Sequence, residues 1–222
     1  MAQFIKFFGL ALTALLPLVN PVGTALIFVG LVGHAPQDVY RVLARKIAIN
    51  TTLFLITIEL IGTALLKFFG ISLSVMQVSG GLVIAAMGWR MLNQAAPDSK
   101  EKSVETDGSA ALKSLEKKAF YPFTFPLTAG PGCIVVMVTL SAHQSLKGIL
   151  PDIEAHAGIV LAVALLSIAV YLCYGHAPAI TARVPAQTAH GILRVMAFVL
   201  LCIGVQITWN GVEAMITSLI RS

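Results

Sequence analysis

Long apolar runs alternate with short polar stretches along the chain, and there are six such runs. They cover approximately residues 7–32, 47–66, 71–89, 119–142, 158–174 and 195–212. A helix needs about 20 apolar residues to cross a bilayer, and each run reaches that length or, for the fifth, nearly does. The pattern therefore predicts an all-α polytopic membrane protein with six transmembrane helices. Residues 93–118 are rich in charge, Ser and Pro and read as a cytoplasmic linker. This divides the chain into a first three-helix repeat (1–92) and a second (119–222). Three spans is an odd number, so the second repeat enters the membrane from the opposite side, as in the inverted repeats of many secondary transporters.

Composition agrees. Of the 222 residues 57% are hydrophobic and 11% charged, against roughly 25% charged in a soluble domain, and the mean hydropathy is +0.88. A water-soluble domain and a disordered chain are both excluded. The net charge of +5 has no basic, aromatic-interleaved patch behind it, so nucleic acid is not an expected partner; the lipid bilayer is. The charge instead sets orientation. With the N-terminus outside, the inner loops hold 11 of the 15 basic residues and the outer side only Lys6, Lys67, Lys147 and Arg221. Positive charge stays inside, so both termini are expected on the outer, periplasmic side. Residues 1–16 have the look of a signal peptide, but the apolar run continues to Val32, which favours an uncleaved first span. Cys133, Cys173 and Cys202 lie in apolar stretches without metal-ligand spacing and are expected to be buried, inert thiols.

The informative residues are those that interrupt the apolar runs. The first run is broken by Pro17-Leu18-Val19-Asn20-Pro21-Val22-Gly23, the fourth by Pro126-Leu127-Thr128-Ala129-Gly130-Pro131-Gly132. Proline inside a helix removes an N–H and clashes with the preceding turn. Asn20-Pro21 and Gly130-Pro131 both read as a cap followed by Pro at the first helical position, so the first and fourth helices are expected to be discontinuous. Unpaired backbone groups in hydrocarbon cost several kcal/mol each, so such breaks belong beside protein or a polar cavity. The new helix N-terminus suits a carboxylate, and the carbonyl end before it suits an ammonium; a zwitterionic amino acid carries both. Gly23, Thr24, Thr128, Ala129, Gly130 and Gly132 around the breaks, with Ser79, Gly80 and Gly81 in the third span, leave room for a small neutral solute and supply no charge for a larger one. Ser79-Gly80-Gly81 equally suits close helix packing.

These motifs, with Phe69-Gly70-Ile71-Ser72 and Gly80-Gly81-Leu82, resemble the MarC family, which includes SnatA-like small neutral amino acid transporters. The resemblance covers nearly the whole chain. It implies a secondary transporter of glycine, alanine and similar amino acids, coupled to protons and placed in a bacterial inner membrane, with no cofactor. Three positions bear on the family pattern: Gln77 replaces an Arg common before the small residues of the third span, Arg194 keeps its counterpart in the sixth, and Ala197 replaces a usual Gly.

Other polar residues lie within the spans. Glu59 is the acidic residue deepest in an apolar run, about 12 Å before Lys67 at 1.5 Å per residue. Intramembrane carboxylates mark ion or proton paths, so Glu59 is a candidate for proton coupling; a protonated carboxyl bonded to a neighbouring helix, or one reaching the interface, are the alternatives. Gln206 and Asn210, four apart, share one helix face and line a cavity or bond across helices. The five His residues, His156 among them, fall at loops and span ends and read as solvated groups, and Trp89 and Tyr174 read as interface anchors. No H-E-x-x-H, G-x-S-x-G or P-loop motif is present, and no enzyme activity is expected.

Overall fold

Prolines and glycines set where the helices of this chain stop, and apolar runs set where they lie. The computed structural model describes residues 1–33, 35–93, 115–143, 149–183 and 186–221. Most of the expected linker, 93–118, falls outside them. The described residues form α1 (Ala2–Val19), α2 (Pro21–Val32), α3 (Gln37–Phe68), α4 (Leu73–Asn93), α5 (Ala119–Thr128), α6 (Pro131–His143), α7 (Ile149–Gly175), α8 (Ala177–Arg183) and α9 (Ala186–Arg221). Five stretches are long and apolar enough to cross a membrane, and a sixth is the bent pair α5–α6. The first of the five is α1 with α2, counted as one 31-residue stretch, Ala2–Val32.

The fifth span is longer than the apolar run suggests. It begins at Ile149 rather than near Gly158, because Asp152 and Glu154 sit on its first turns without ending the helix. At that end Glu154 pairs with the Met1 ammonium. Near the linker, Lys46 Nζ meets Glu116 Oε2 at 3.0 Å.

α4 lies along α9, α1 and α3 flank α7, and α6 packs between α3 and α4. The α4–α9 seam is built on small residues that bring the two backbones together. A Cβ on Gly81 would lie 2.5 Å from the Thr208 nitrogen, one on Gly88 2.6 Å from the Leu201 nitrogen, and one on Gly204 2.3 Å from the Ala85 nitrogen. Lipid tails are as apolar as the side chains they touch, so helices in a bilayer associate by such close packing rather than by hydrophobic burial. Gly204→Val is therefore expected to push α9 off α4, since the obstacle is backbone. Overpacking costs about 1–3 kcal/mol or more, and thermal unfolding in detergent should show a markedly lower midpoint; an unchanged midpoint would contradict the seam.

Of the three thiols, Cys133 alone is buried; Cys173 is half-buried and Cys202 exposed. The expectation of burial fails for these two because an apolar run in a bilayer needs only lipid around it, not protein.

Candidate functional site

At the first break, Asn20 stands between two helices in the left-handed region, φ 42 and ψ 64. Its N–H closes α1 on the Leu16 carbonyl at 2.9 Å. Its side-chain Oδ1 opens α2 by accepting from the Gly23 N–H at 3.1 Å, with Pro21 at the first position of α2. Asn is among the few side-chain-bearing residues that visit this region readily. Gly23 is required for the cap, because a Cβ there would lie 2.2 Å from Asn20 Nδ2. The carbonyls at the break find a hydroxyl: Thr24 Oγ1 donates to Asn20 O at 2.8 Å and lies 3.2 Å from Val19 O.

The second break is built differently. α5 contains Pro122 and Pro126 and consists of short helical pieces joined across a kink. Tyr121 and Phe125, each preceding a proline, are extended, the conformation that proline imposes on its predecessor. Threonines again compensate: Thr124 Oγ1 donates to Ala119 O at 2.8 Å and Thr128 Oγ1 reaches Phe123 O at 2.7 Å. Ala129 and Gly130 then separate α5 from α6, and the pair bends by 70°. Threonine hydroxyls are among the groups that re-satisfy backbone freed by proline inside a membrane.

The two breaks wall one cavity of about 410 Å³. Asn20 and Thr24 line it from the first, Gly130 and Gly132 from the second, with Pro17, Leu18 and Pro126 beside them. Ile84, Met87 and Met91 of α4 and Met196 and Leu200 of α9 complete the wall. Among the described residues, no charged side chain lines it. The methionines were not among the expected site residues; at helical spacing they read as ordinary span residues.

Pro21, Gly23, Thr128 and Ala129 are buried behind this wall, and Pro131 is half-buried at the start of α6. Thr128 Oγ1 meets the Tyr174 hydroxyl at 2.8 Å, and the Tyr174 ring stacks on Phe28 of α2 with centroids 4.6 Å apart. Tyr174 is wholly buried, not the interface anchor its position at a span end suggested, and it joins elements of both breaks.

Other expected site residues lie elsewhere. Ser79 is exposed and its hydroxyl returns to Val75 O at 2.9 Å. Gly80 faces Val135 of α6, where a Cβ would come within 2.1 Å of Cγ2. Gly80 belongs to helix packing and Ser79 to an exposed face of α4, and neither lines the cavity. Gln206 and Asn210 share a face, with Nε2 donating to Oδ1 at 2.8 Å, but they line a second cavity of about 370 Å³. Leu10, Thr13, Gln77, Thr139 and Leu140 line it too. α1, α4, α6 and α9 each contribute to both cavities, and on each helix the residues change cavity at one level.

Glu59 is buried, and His156 Nδ1 bonds its Oε1. His156 is therefore not the free solvated group expected of it; the extended α7 places it in a helix facing α3.

Five long apolar stretches and one bent, proline-broken pair define a polytopic helical membrane protein. The sequence model of the MarC family integral membrane proteins matches residues 5–216, and the chain belongs to that family. It is 32% identical over 220 residues to the UPF0056 inner membrane protein MarC of Salmonella typhimurium, with 96% of each chain covered. To the protein of that name in Escherichia coli it is 30% identical over 219 residues, again with 96% of each covered. A UPF0056 membrane protein of Pyrococcus abyssi is 28% identical over 213 residues, covering 96% of this chain and 98% of the relative. No solved structure matches the chain.

Proposed function

We propose that this protein is a secondary active transporter of small neutral amino acids, glycine and alanine among them. It works by alternating access, driven by a proton gradient or another coupling ion, in an inner membrane with both termini outside. The observation that carries the reading is the shared cavity: two helix breaks more than a hundred residues apart in sequence meet on one space that no charged side chain of the described residues lines. The Asn20 oxygen is committed to Gly23, so its Nδ2 is the donor left for a substrate carboxylate. The α6 N-terminus at Gly132 supplies the second, with its positive dipole end. Carbonyls ending α5 serve the ammonium.

Packing supports an inverted repeat in which α1–α2, α3 and α4 correspond to α5–α6, α7 and α9. α1 lies on α7 as α3 lies on α5 and α6, and the α3–α7 and α4–α9 pairs each join a helix to its own counterpart. The two cavities support alternation. With basic loops inside, the first opens along Leu31, Met91 and Met196 toward the cytoplasm, and the second lies on the outer half of the same helices.

Purified protein in liposomes tests this. Labelled glycine and alanine should enter saturably, exchange with internal amino acid and accumulate under an imposed gradient. Entry that only dissipates a gradient would mean a channel. Entry of other small solutes but not these would remove the substrate assignment.

A further inference from the structure

At the outer end of α3 and α7 an acidic side chain is held inside the protein with a stepped route to the surface. The Glu59 side chain is 0% exposed and its Oε1 bonds His156 Nδ1. The His156 side chain is 36% exposed, and its other nitrogen, Nε2, lies 3.9 Å from Asp152 Oδ2. Asp152, one turn earlier on α7, is 43% exposed. One imidazole thus stands between a buried carboxylate and a wet one. Among the described residues at this end, the Met1 ammonium pairs with Glu154, Lys6 lies over the Phe7 ring at 5.8 Å, and Lys67 is about two turns further along α3.

We propose that Glu59 and His156 form the proton-binding site of this protein, with Asp152 as its outer mouth; the inference rests on the transport reading above. A proton from outer water adds at His156 Nε2 while the proton on Nδ1 passes to Glu59 Oε1. The ring ends neutral in its other tautomer, and the net change is one proton moved from water to Glu59. A neutral carboxyl is much less costly in a membrane interior than a charged one, so the two states differ in how tightly α3 holds α7. The same turn of α3 is tied to the substrate helix: the Glu59 carbonyl accepts from Ser141 Oγ of α6 at 2.7 Å, and Gly62 abuts Val138. α6 runs from there to Gly132 at the cavity, about 14 Å away. Protonation at one end of a rigid helix is thereby linked to the break at its other end.

Two readouts test the site. In liposomes, Glu59→Gln and His156→Asn should exchange glycine within about threefold of wild type in the absence of a gradient, while gradient-driven accumulation falls to equality across the membrane. Asp152→Asn should slow the driven phase while exchange without a gradient stays near wild type. Infrared difference spectra of the purified protein between acid and alkaline pH should show a carboxyl band that Glu59→Gln removes and His156→Asn alters. Accumulation undiminished in Glu59→Gln, or no titrating band lost with Glu59, would overturn the proposal. If the wild type exchanges no amino acid, the transport reading fails while the infrared result still decides whether the pair takes up a proton. A variant that loses exchange together with its thermal unfolding transition is replaced in this test by His156→Gln, which keeps a polar group on Glu59.

Discussion

Replacing Gly132 with Val is expected to cut glycine and alanine uptake by a factor of about 100 or more while the protein still folds. A Cβ at Gly132 would lie 2.8 Å from Leu18 Cδ2 and 3.0 Å from Ile84 Cγ1. Leu18 Cδ2 is the end of a flexible side chain, Ile84 must turn about its Cα–Cβ bond, and the space both move into is the cavity they line. The cost to folding is that of modest overpacking, about 1–3 kcal/mol, and a thermal midpoint a few degrees lower. The cost to transport is larger under the proposed mechanism, because the added methyls stand at the N-terminus of α6, where a substrate carboxylate would come close to backbone N–H groups. Gly30→Val is the matched control. That glycine is exposed in α2 with nothing within 4 Å of a built Cβ, and uptake and stability should both stay near wild type. Uptake by Gly132→Val at the wild-type rate would remove the broken-helix mechanism.

What could be read in the sequence was local. Asn20-Pro21 and Gly130-Pro131 announce helix starts because capping and the missing proline N–H act within one turn, and α2 and α6 do start at Pro21 and Pro131. The kink within α5 was less legible. It arises from Pro122 and Pro126 acting together on one short segment, with threonines one turn away taking up the carbonyls. Depth was the harder quantity. Gln206 and Asn210 plainly share a face, but Gln206 stands about 9 Å beyond Leu200 along α9, and that distance places it in the second cavity. Glu59 was conspicuous as a carboxylate in an apolar run, while its partner was hidden. The charges of Asp152 and Glu154 made the fifth span look as if it began inside His156. Tyr174 was misplaced for a related reason. An aromatic residue at a span end suits the interface equally well, and only the packing of α2 and α5 against α7 decides that it is buried.

Asn20→Asp should separate the capping that Asn20 performs from the ligand role proposed for it. As a cap the carboxylate is at least as good: an oxygen still accepts from the Gly23 N–H, and negative charge at a helix N-terminus is favourable. Folding should therefore be close to wild type. As a ligand the change is severe, since the Nδ2 donor is lost and a negative charge enters a cavity that no charged side chain of the described residues lines. A hydrogen bond to a charged group contributes about 1.5–3 kcal/mol, and like-charge juxtaposition adds to that loss. Exchange of glycine should fall about 100-fold or more, mostly through a higher half-saturation concentration. Asn20→Gly relaxes the left-handed backbone, φ 42, at no steric cost, but removes both cap and donor. It should lose about tenfold in exchange, from the donor alone, and should be measurably less stable, since the cap is gone. If Asn20 only shapes the backbone, the order reverses, with Asn20→Asp near wild type in exchange and Asn20→Gly the poorer of the two. Measuring half-saturation and thermal midpoint for both variants distinguishes the two roles, because capping acts on the midpoint and carboxylate recognition on the half-saturation concentration.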